Sequence, residues 1–549
     1  MKRKVTFAVG IFFMIPMVYG IGLFAVTIDA IIEYENVNKS LEPVPVSEFM
    51  EGNTTVLRNK TRDLEYRLFK YHMDGQGLML NTRFTGSDVL TPSGSGGTQF
   101  GGHADCPIWT GHLLASQGFK YAVAKREGNA IDRVDALQNV SIILEGLNFL
   151  TQVTGVPGRL ARYAWYDDPG GVNRSIFGDP EDNPNKNWDS RRYEGEWQGD
   201  PYIWDGAISR DQHAGLLLGL GVIEELVAPH NSTIKQKVKL MVENLVDFMI
   251  TSDWRGVDAG NTTTGTDFRP GYDIGSSDGA WQLSFLQLGR RVNPAKYESM
   301  YHHHALDLNQ VERIGNFHEI NTNWNLRSKY YGNNINFVQL FNLIRLETDP
   351  AIHDRMVHAM KKTVWKEVKY HRNAHFNMLY LGASRKTNES GTLSMFDPEM
   401  EYIINDTLDG LMRHGSDPKH RDSNGRYCIK DIVPTGVYYK YEYQFHGGWD
   451  PPGMYNTTTD ELMYRIDPIY FKYHTFLQGI GGSWLNDIFS FSAVSDEIVP
   501  VDLRPVSDFT WQRSPYKIFA GENLRSCYPG VDVILPYWMG RYYRFWGDG

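Results

Sequence analysis

Cysteine is scarce in this chain. Three residues in 549, Cys106, Cys428 and Cys527, are too few for a disulfide framework, and they lack metal-ligand spacing. At most one bridge can close within the chain. Cys428 with Cys527 is the expected pair, because Cys106 sits in the helix start Asp105-Cys106-Pro107. A basic excess is missing too: 55 Lys and Arg against 65 Asp and Glu leave a net charge of −10. Without a basic stripe to neutralise phosphates, nucleic acid is excluded as a dedicated partner. No serine nucleophile elbow, phosphate-binding loop or dinucleotide fingerprint stands in a supporting context, so no cofactor is expected. No metal is expected either. The Asx-rich stretches 179–189 and 422–425 lack full calcium-loop spacing and read as turns, and the consecutive His302, His303 and His304 point in different helical directions.

Long apolar runs are absent with one exception. From Val5 to Ile28 no residue is charged, and at 1.5 Å per residue this run covers a hydrocarbon core of roughly 30 Å. It exceeds the roughly 7–15 residues of a cleaved signal and shows no small-x-small site before Asp29. Lys2, Arg3 and Lys4 precede it, whereas Asp29, Glu33 and Glu35 follow. The positive-inside rule therefore leaves the short N-terminus in the cytoplasm. Residues 1–33 are expected to be a cytoplasmic tip and a single-pass signal-anchor helix in the cell membrane, with the remainder extracellular or luminal. Ten N-x-S/T sequons, at Asn38, Asn53, Asn59, Asn139, Asn173, Asn231, Asn261, Asn388, Asn405 and Asn456, agree with an outward-facing glycoprotein.

What is present is ordinary globular composition, 41% hydrophobic and 22% charged, enough for a large core. Residues 34–60 are polar and read as a stalk, and residues 61–549 as the folded domain. From about Asp105, apolar residues recur at helical spacing in paired segments: 105–125 with 129–153, 209–228 with 232–252, 277–291 with 294–306, 333–347 with 350–369, and 373–384 with 398–413. A sixth pair is sought in 459–497. The first member of each pair is apolar nearly all round and the second carries a polar face. This alternation implies two concentric layers and a mainly α fold, an (α/α)6 toroid. Residues 415–460 and 500–549, rich in Asp, Gly, Pro and aromatics, are expected to form long irregular C-terminal loops.

The stretches Asp105-Cys-Pro-Ile-Trp-Thr-Gly-His112, Ser209-Arg-Asp-Gln-His-Ala-Gly-Leu-Leu-Leu-Gly-Leu220 and Tyr331-Gly-Asn-Asn-Ile-Asn-Phe337 resemble inner-helix starts of six-hairpin α/α-toroid carbohydrate-active enzymes. That fold houses glycoside hydrolases, polysaccharide lyases and sugar epimerases. The resemblance spans roughly residues 100–415 as a pattern and bears on fold more than on function.

In such a toroid, polar side chains at one end of the inner helices meet in a cleft. Asp105, Asp211 and Asp278 are the candidate catalytic carboxyls, with Glu194 and Glu196 in reserve. Trp109, His112, Arg210, His213, Trp281, Asn333, Asn334, His375 and Asn377 are the candidate substrate-binding residues, since sugars stack on aromatic faces and bond through their hydroxyls. Each acid also has a structural role open to it. Ser209-Arg-Asp-Gln212 is a capping box, and Asp105 and Asp278 stand where N-caps stand. Hydrolysis by inversion requires two carboxyls roughly 6.5–9.5 Å apart, whereas a uronate lyase or epimerase would draw its base and its neutralising groups from His213, His375 and Asn333. The expectation is a membrane-anchored glycan-active enzyme, most simply a glycoside hydrolase. A non-catalytic glycan-binding or scaffold protein on the same fold is the alternative, and a structural subunit with a large exposed apolar patch is a third.

Overall fold

A computed structural model describes residues 41–84, 98–169, 191–271, 279–314, 330–387, 393–394, 397–415, 420–421, 426–428, 438–441, 453–456, 462–465, 498–504, 509, 511, 513–516 and 526–547. The described chain is mainly helical. Its principal helices are α1 (Thr54–Tyr71), α2 (Cys106–Glu127), α3 (Ala130–Leu150), α4 (Arg210–Leu226), α5 (Ser232–Thr251), α6 (Ala280–Val292), α7 (Pro294–His302), α8 (Tyr331–Arg345), α9 (Pro350–Met360), α10 (Ala374–Ala383), α11 (Met400–Arg413) and α12 (Val531–Tyr542).

Local chemistry sets these boundaries. Pro107 opens α2 where its missing N–H costs nothing, and Gly128, at φ 73°, closes it in the left-handed conformation. Asn129, Asn231, Asp349 and Asn373 cap α3, α5, α9 and α10 by accepting from backbone N–H groups of the first turn. Helix α2 is buried along almost its whole surface, and α4, α6, α8 and α10 are likewise. By contrast α3 buries only Ala136, Val140, Ile143, Leu144 and Leu147 with their close neighbours, one face of a helix whose other face is wet.

The buried helices touch in sequence: α2 with α4, α4 with α6, α6 with α8, α8 with α10, α10 with α12, and α12 back to α2. Each also packs on a helix with a polar face, namely α3, α5, α7, α9 and α11 for the first five and α1 for α12. The closest approach joins α2 and α4. A Cβ on Gly111 would run into the Gly215 carbonyl, and one on Gly215 into the Ile108 backbone. The two helices run parallel with their backbones in contact, which only glycine permits.

Several boundaries differ from the sequence reading. The first α-helix starts at Thr54, inside the expected stalk, because Asn53 caps α1 and Leu57 already joins Thr61, Leu64 and Leu68 on its buried face. Of the two apolar residues in that turn only Leu57 is buried while Val56 is exposed, too weak a period to mark it. Helices α1 and α12 pack together as a further pair; most of 459–497, where a sixth pair was expected, lies outside the described residues. Helix α12 occupies sequence expected to be loop. Its interior Pro536 has no N–H for the Asp532 carbonyl, and the Trp511 indole donates to that oxygen instead, at 2.6 Å. The C-terminal region also holds a five-stranded antiparallel sheet of short strands from His420–Arg421 to Leu462–Arg465. No helix among the described residues is long and apolar enough to cross a membrane; the expected anchor, 5–28, lies outside them.

The glycine contact generates a direct test. Gly111→Ala is expected to lower unfolding free energy by about 3 kcal/mol, at the upper end of overpacking costs. Gly410→Ala, whose Cβ would meet only the Ala374 Cβ at 3.9 Å, gains about 0.5–1 kcal/mol from helix entropy. Urea denaturation of both variants reads the difference, and equal behaviour contradicts the backbone contact.

Candidate functional site

The parallel contact of α2 and α4 places their N-terminal ends side by side, and two of the candidate acids with them. Gln212, in the first turn of α4, accepts from the Ser209 backbone N–H through Oε1 at 3.2 Å, completing the capping box. Its Nε2 donates to Asp211 Oδ2 at 2.9 Å and to the Ala104 carbonyl at 2.9 Å, and lies 3.5 Å from Asp105 Oδ1. One amide nitrogen thus touches both carboxylates. Their nearest oxygens are no further apart than those two contacts laid end to end, less than the roughly 6.5–9.5 Å of an inverting pair. Asp105 occupies the N-cap position of α2 without capping it through its side chain. The Ser209 hydroxyl lies against Asp211 Oδ1 and Gln212 Oε1. Tyr331, half exposed at the start of α8, has its phenol pushed up by burial and by the Asp211 charge.

A three-stranded antiparallel sheet adjoins these helix starts: β1 (Tyr163–Tyr166) and β2 (Arg192–Trp197) flank β3 (Asp200–Asp205). Tyr163 and Arg192 both stand opposite Asp205, so these three share a face with Trp165. Arg192 Nε pairs with Asp205 Oδ1 at 3.4 Å, and its guanidinium sits over the Trp165 ring at 5.5 Å. The His103 ring lies 4.7 Å from that of Tyr163. Arg162 Nε donates to the Ala207 carbonyl at 2.8 Å, and Nη2 donates to Ser209 Oγ at 3.1 Å, tying the sheet to the start of α4.

The remaining expected residues lie deeper. Trp109 stacks on Phe509, with ring centroids 4.8 Å apart and planes 12° apart. Phe509 also meets the His112 and His375 rings, which are 5.3 Å from each other. His112 Nδ1 donates to the Ile108 carbonyl at 2.7 Å, and His375 Nε2 donates to Asn334 Oδ1 at 3.1 Å. These bonds fix both tautomers. His213 lies between Phe268 and Phe285 with Nδ1 bonded to the Ser209 carbonyl, and Trp281 packs on Phe268. Arg210 donates to the Asp267 carbonyl. Asn377 donates to Asp406 and Thr407. Asn333 is buried in the first turn of α8.

The structure therefore brings Asp105 and Asp211 together and buries His112, His213, Asn334 and His375. Asp278 lies outside the described residues. Glu194 and Glu196 are exposed on β2. Gln212 and Tyr331 join the site unannounced by sequence, apart from the capping box. Asp205 was also missed, since only strand register puts it beside Arg192. Among the described residues no group of three or more His, Cys, Asp or Glu is arranged to hold a metal. His302, His303 and His304 bond separately to Glu298, Asp307 and Gln282.

The buried imidazoles have a consequence for stability. Burial, only partly opposed by the backbone bond to Ile108, lowers His112 to about 4. Burial does the same to His213 against its bond to Ser209. Unfolded, these rings titrate near 6.5, so their contribution is complete above that value and is lost as pH falls toward 4. Between pH 6.5 and 5 each neutral histidine accounts for about 2 kcal/mol. Urea midpoints measured at pH 7 and pH 5 should fall accordingly, and less steeply in His112→Gln; a midpoint unmoved by pH contradicts the buried, neutral state.

No protein-family model, curated protein or solved structure matches the chain, so its chemistry is read from these residues themselves.

Proposed function

We propose that this chain is a membrane-anchored, extracytoplasmic glycoside hydrolase built on an (α/α)6 toroid. Support for the toroid comes from the circuit of six buried helices, each backed by a partner with a polar face. The apolar run from Val5 to Ile28 and its flanking charges support the anchor. One observation carries the enzymatic reading: Asp105 and Asp211, from the starts of neighbouring buried helices, converge on Gln212 beside the half-exposed Tyr331. Carboxylates, a planar aromatic face and amide donors within one patch are what a sugar ring requires. The lyase or epimerase alternative is the poorer fit, because His213 and His375 are buried and bonded within the core.

A non-catalytic glycan-binding protein is the second reading, favoured by the hydrogen bonds that already engage both oxygens of Asp211. The two readings part on turnover. Against a panel of oligosaccharides, the wild-type ectodomain should cleave at least one, and Asp211→Asn and Asp105→Asn should each lower kcat by about 10²-fold or more while melting as wild type does. Binding without cleavage by the wild type selects the second reading, and wild-type turnover in both variants defeats the assignment of these acids.

Outward placement has its own test. Expressed through a eukaryotic secretory pathway, Asn53, Asn59 and Asn261, all exposed, should carry glycans. Asn139, whose Nδ2 donates to Gln117 at 3.1 Å from a half-buried face of α3, should stay bare. Glycopeptide mass spectrometry reads each site, and a chain bare at every sequon contradicts the outward topology.

A further inference from the structure

Resting on the hydrolase reading above, we infer that Gln212 is a positioning residue of the reaction: its amide nitrogen is the donor that holds Asp105 and Asp211 together as an ionised pair.

Helix formation alone favours glutamate at this position. A capping box takes Glu or Gln at its third helical residue, and a negative charge in the first turn gains from the helix dipole. The Ser209 backbone N–H, from which Gln212 Oε1 accepts at 3.2 Å, would be met as well by a carboxylate oxygen. What a carboxylate lacks is a donor on its other side. Nε2 of Gln212 faces three oxygens, Asp211 Oδ2 at 2.9 Å, the Ala104 carbonyl at 2.9 Å and Asp105 Oδ1 at 3.5 Å, and the side chain is fully buried among them. An oxygen in place of that nitrogen would stand against three acceptors with no hydrogen between, an unsatisfied contact that burial makes costly. The two acids and the carbonyl therefore require an amide where the helix would accept either residue.

The contact crosses elements. Ala104 and Asp105 lead into α2, whereas Asp211 and Gln212 belong to α4, so one nitrogen ties the two helix starts at the level of their acids. Neighbouring carboxylates repel and favour proton uptake by one of them, and a shared donor opposes this by bonding to the ionised form. On the Asp211 side, Ser209 Oγ lies against Oδ1 and receives a hydrogen bond from Arg162 Nη2 at 3.1 Å. The other charged or titratable groups around this turn are engaged elsewhere or stand beside it: Arg210 donates to the Asp267 carbonyl, His213 is bonded to the Ser209 carbonyl, His103 lies against Tyr163, and Tyr331 of α8 feels the Asp211 charge.

Gln212→Glu keeps the cap and exchanges the donor for an acceptor. Unfolded, the introduced carboxyl titrates near about 4.3; folded, burial and two neighbouring carboxylates raise it. A carboxyl raised by folding costs no stability at low pH and progressively more as pH rises toward its folded value. Urea midpoints of the variant should therefore fall away from those of the wild type between about pH 5 and pH 7.5, and adding Asp105→Asn, which returns an amide to the cluster, should recover part of the loss. On an oligosaccharide that the wild type cleaves, Gln212→Glu should lower kcat by about 10²-fold with KM nearly unchanged, since misplaced acids are missed in the transition state and not in binding. A variant whose midpoints follow the wild type at both pH values, a double variant no better than the single one, or an unchanged kcat would overturn the role given to Gln212. A wild-type ectodomain that cleaves nothing on the panel overturns the hydrolase reading and the positioning role with it, while the pH dependence of stability still reads the contact itself.

Discussion

The backbone contact between α2 and α4 is the constraint on which the rest of the molecule depends. Helices usually pack 8–10 Å apart with side chains between them. Here Gly111 and Gly215 leave no room for a side chain, so two parallel helices meet along their backbones. The energetic consequence is close packing in the centre of the circuit. The functional one is that the first turn of α4 lies against the residues leading into α2, which lets Gln212 reach Ala104 and Asp105 from a position that also caps its own helix. A side chain larger than hydrogen at either glycine would separate Asp105 from Asp211 before it affected any group at the site directly.

Polarity in the interior follows the same economy of space. His112 and His213 satisfy one ring nitrogen each on the carbonyl four residues earlier, an option that a helix always offers and that allows an imidazole to be buried neutral. Several buried charges are matched by opposite ones, Arg290 by Glu347 and Arg372 by Asp406 and Asp409, while Arg504 is held by the Val499, His371 and Arg372 carbonyls. Such pairs add little net stability but leave a costly lone charge if one partner is removed. The carboxyls at the α2–α4 end, Asp105 and Asp211, differ in that some of their surface remains open to water.

Much of the helical framework was legible in the sequence. Runs such as Gly215 to Ile223 are apolar on every side, and their partners show a single apolar stripe, so the pairing from Cys106 to Arg413 follows from burial alone. What closes the circuit was not. Helix α1 hides behind a polar stretch with Leu57 as its first buried residue, and α12 contains Pro536, whose unmatched carbonyl partner is met by Trp511 from elsewhere in the chain. The site divides similarly. Asp105 and Asp211 were legible because helix starts carry their own signature, whereas Asp205 ends a strand and gains its meaning only from the register that sets it between Tyr163 and Arg192. His112 and His375 looked like ligand-binding groups because sequence does not reveal that Phe509 covers them.

Two carboxyls brought onto one amide by a backbone contact between helices are a geometric claim. The most direct measurement is a crystal structure of the ectodomain. Backbone contact at Gly111 and Gly215, with the Gln212 amide reaching both Asp105 and Asp211, is the predicted result; helices spaced apart by side chains, with the two carboxylates out of reach of one amide, would contradict the account.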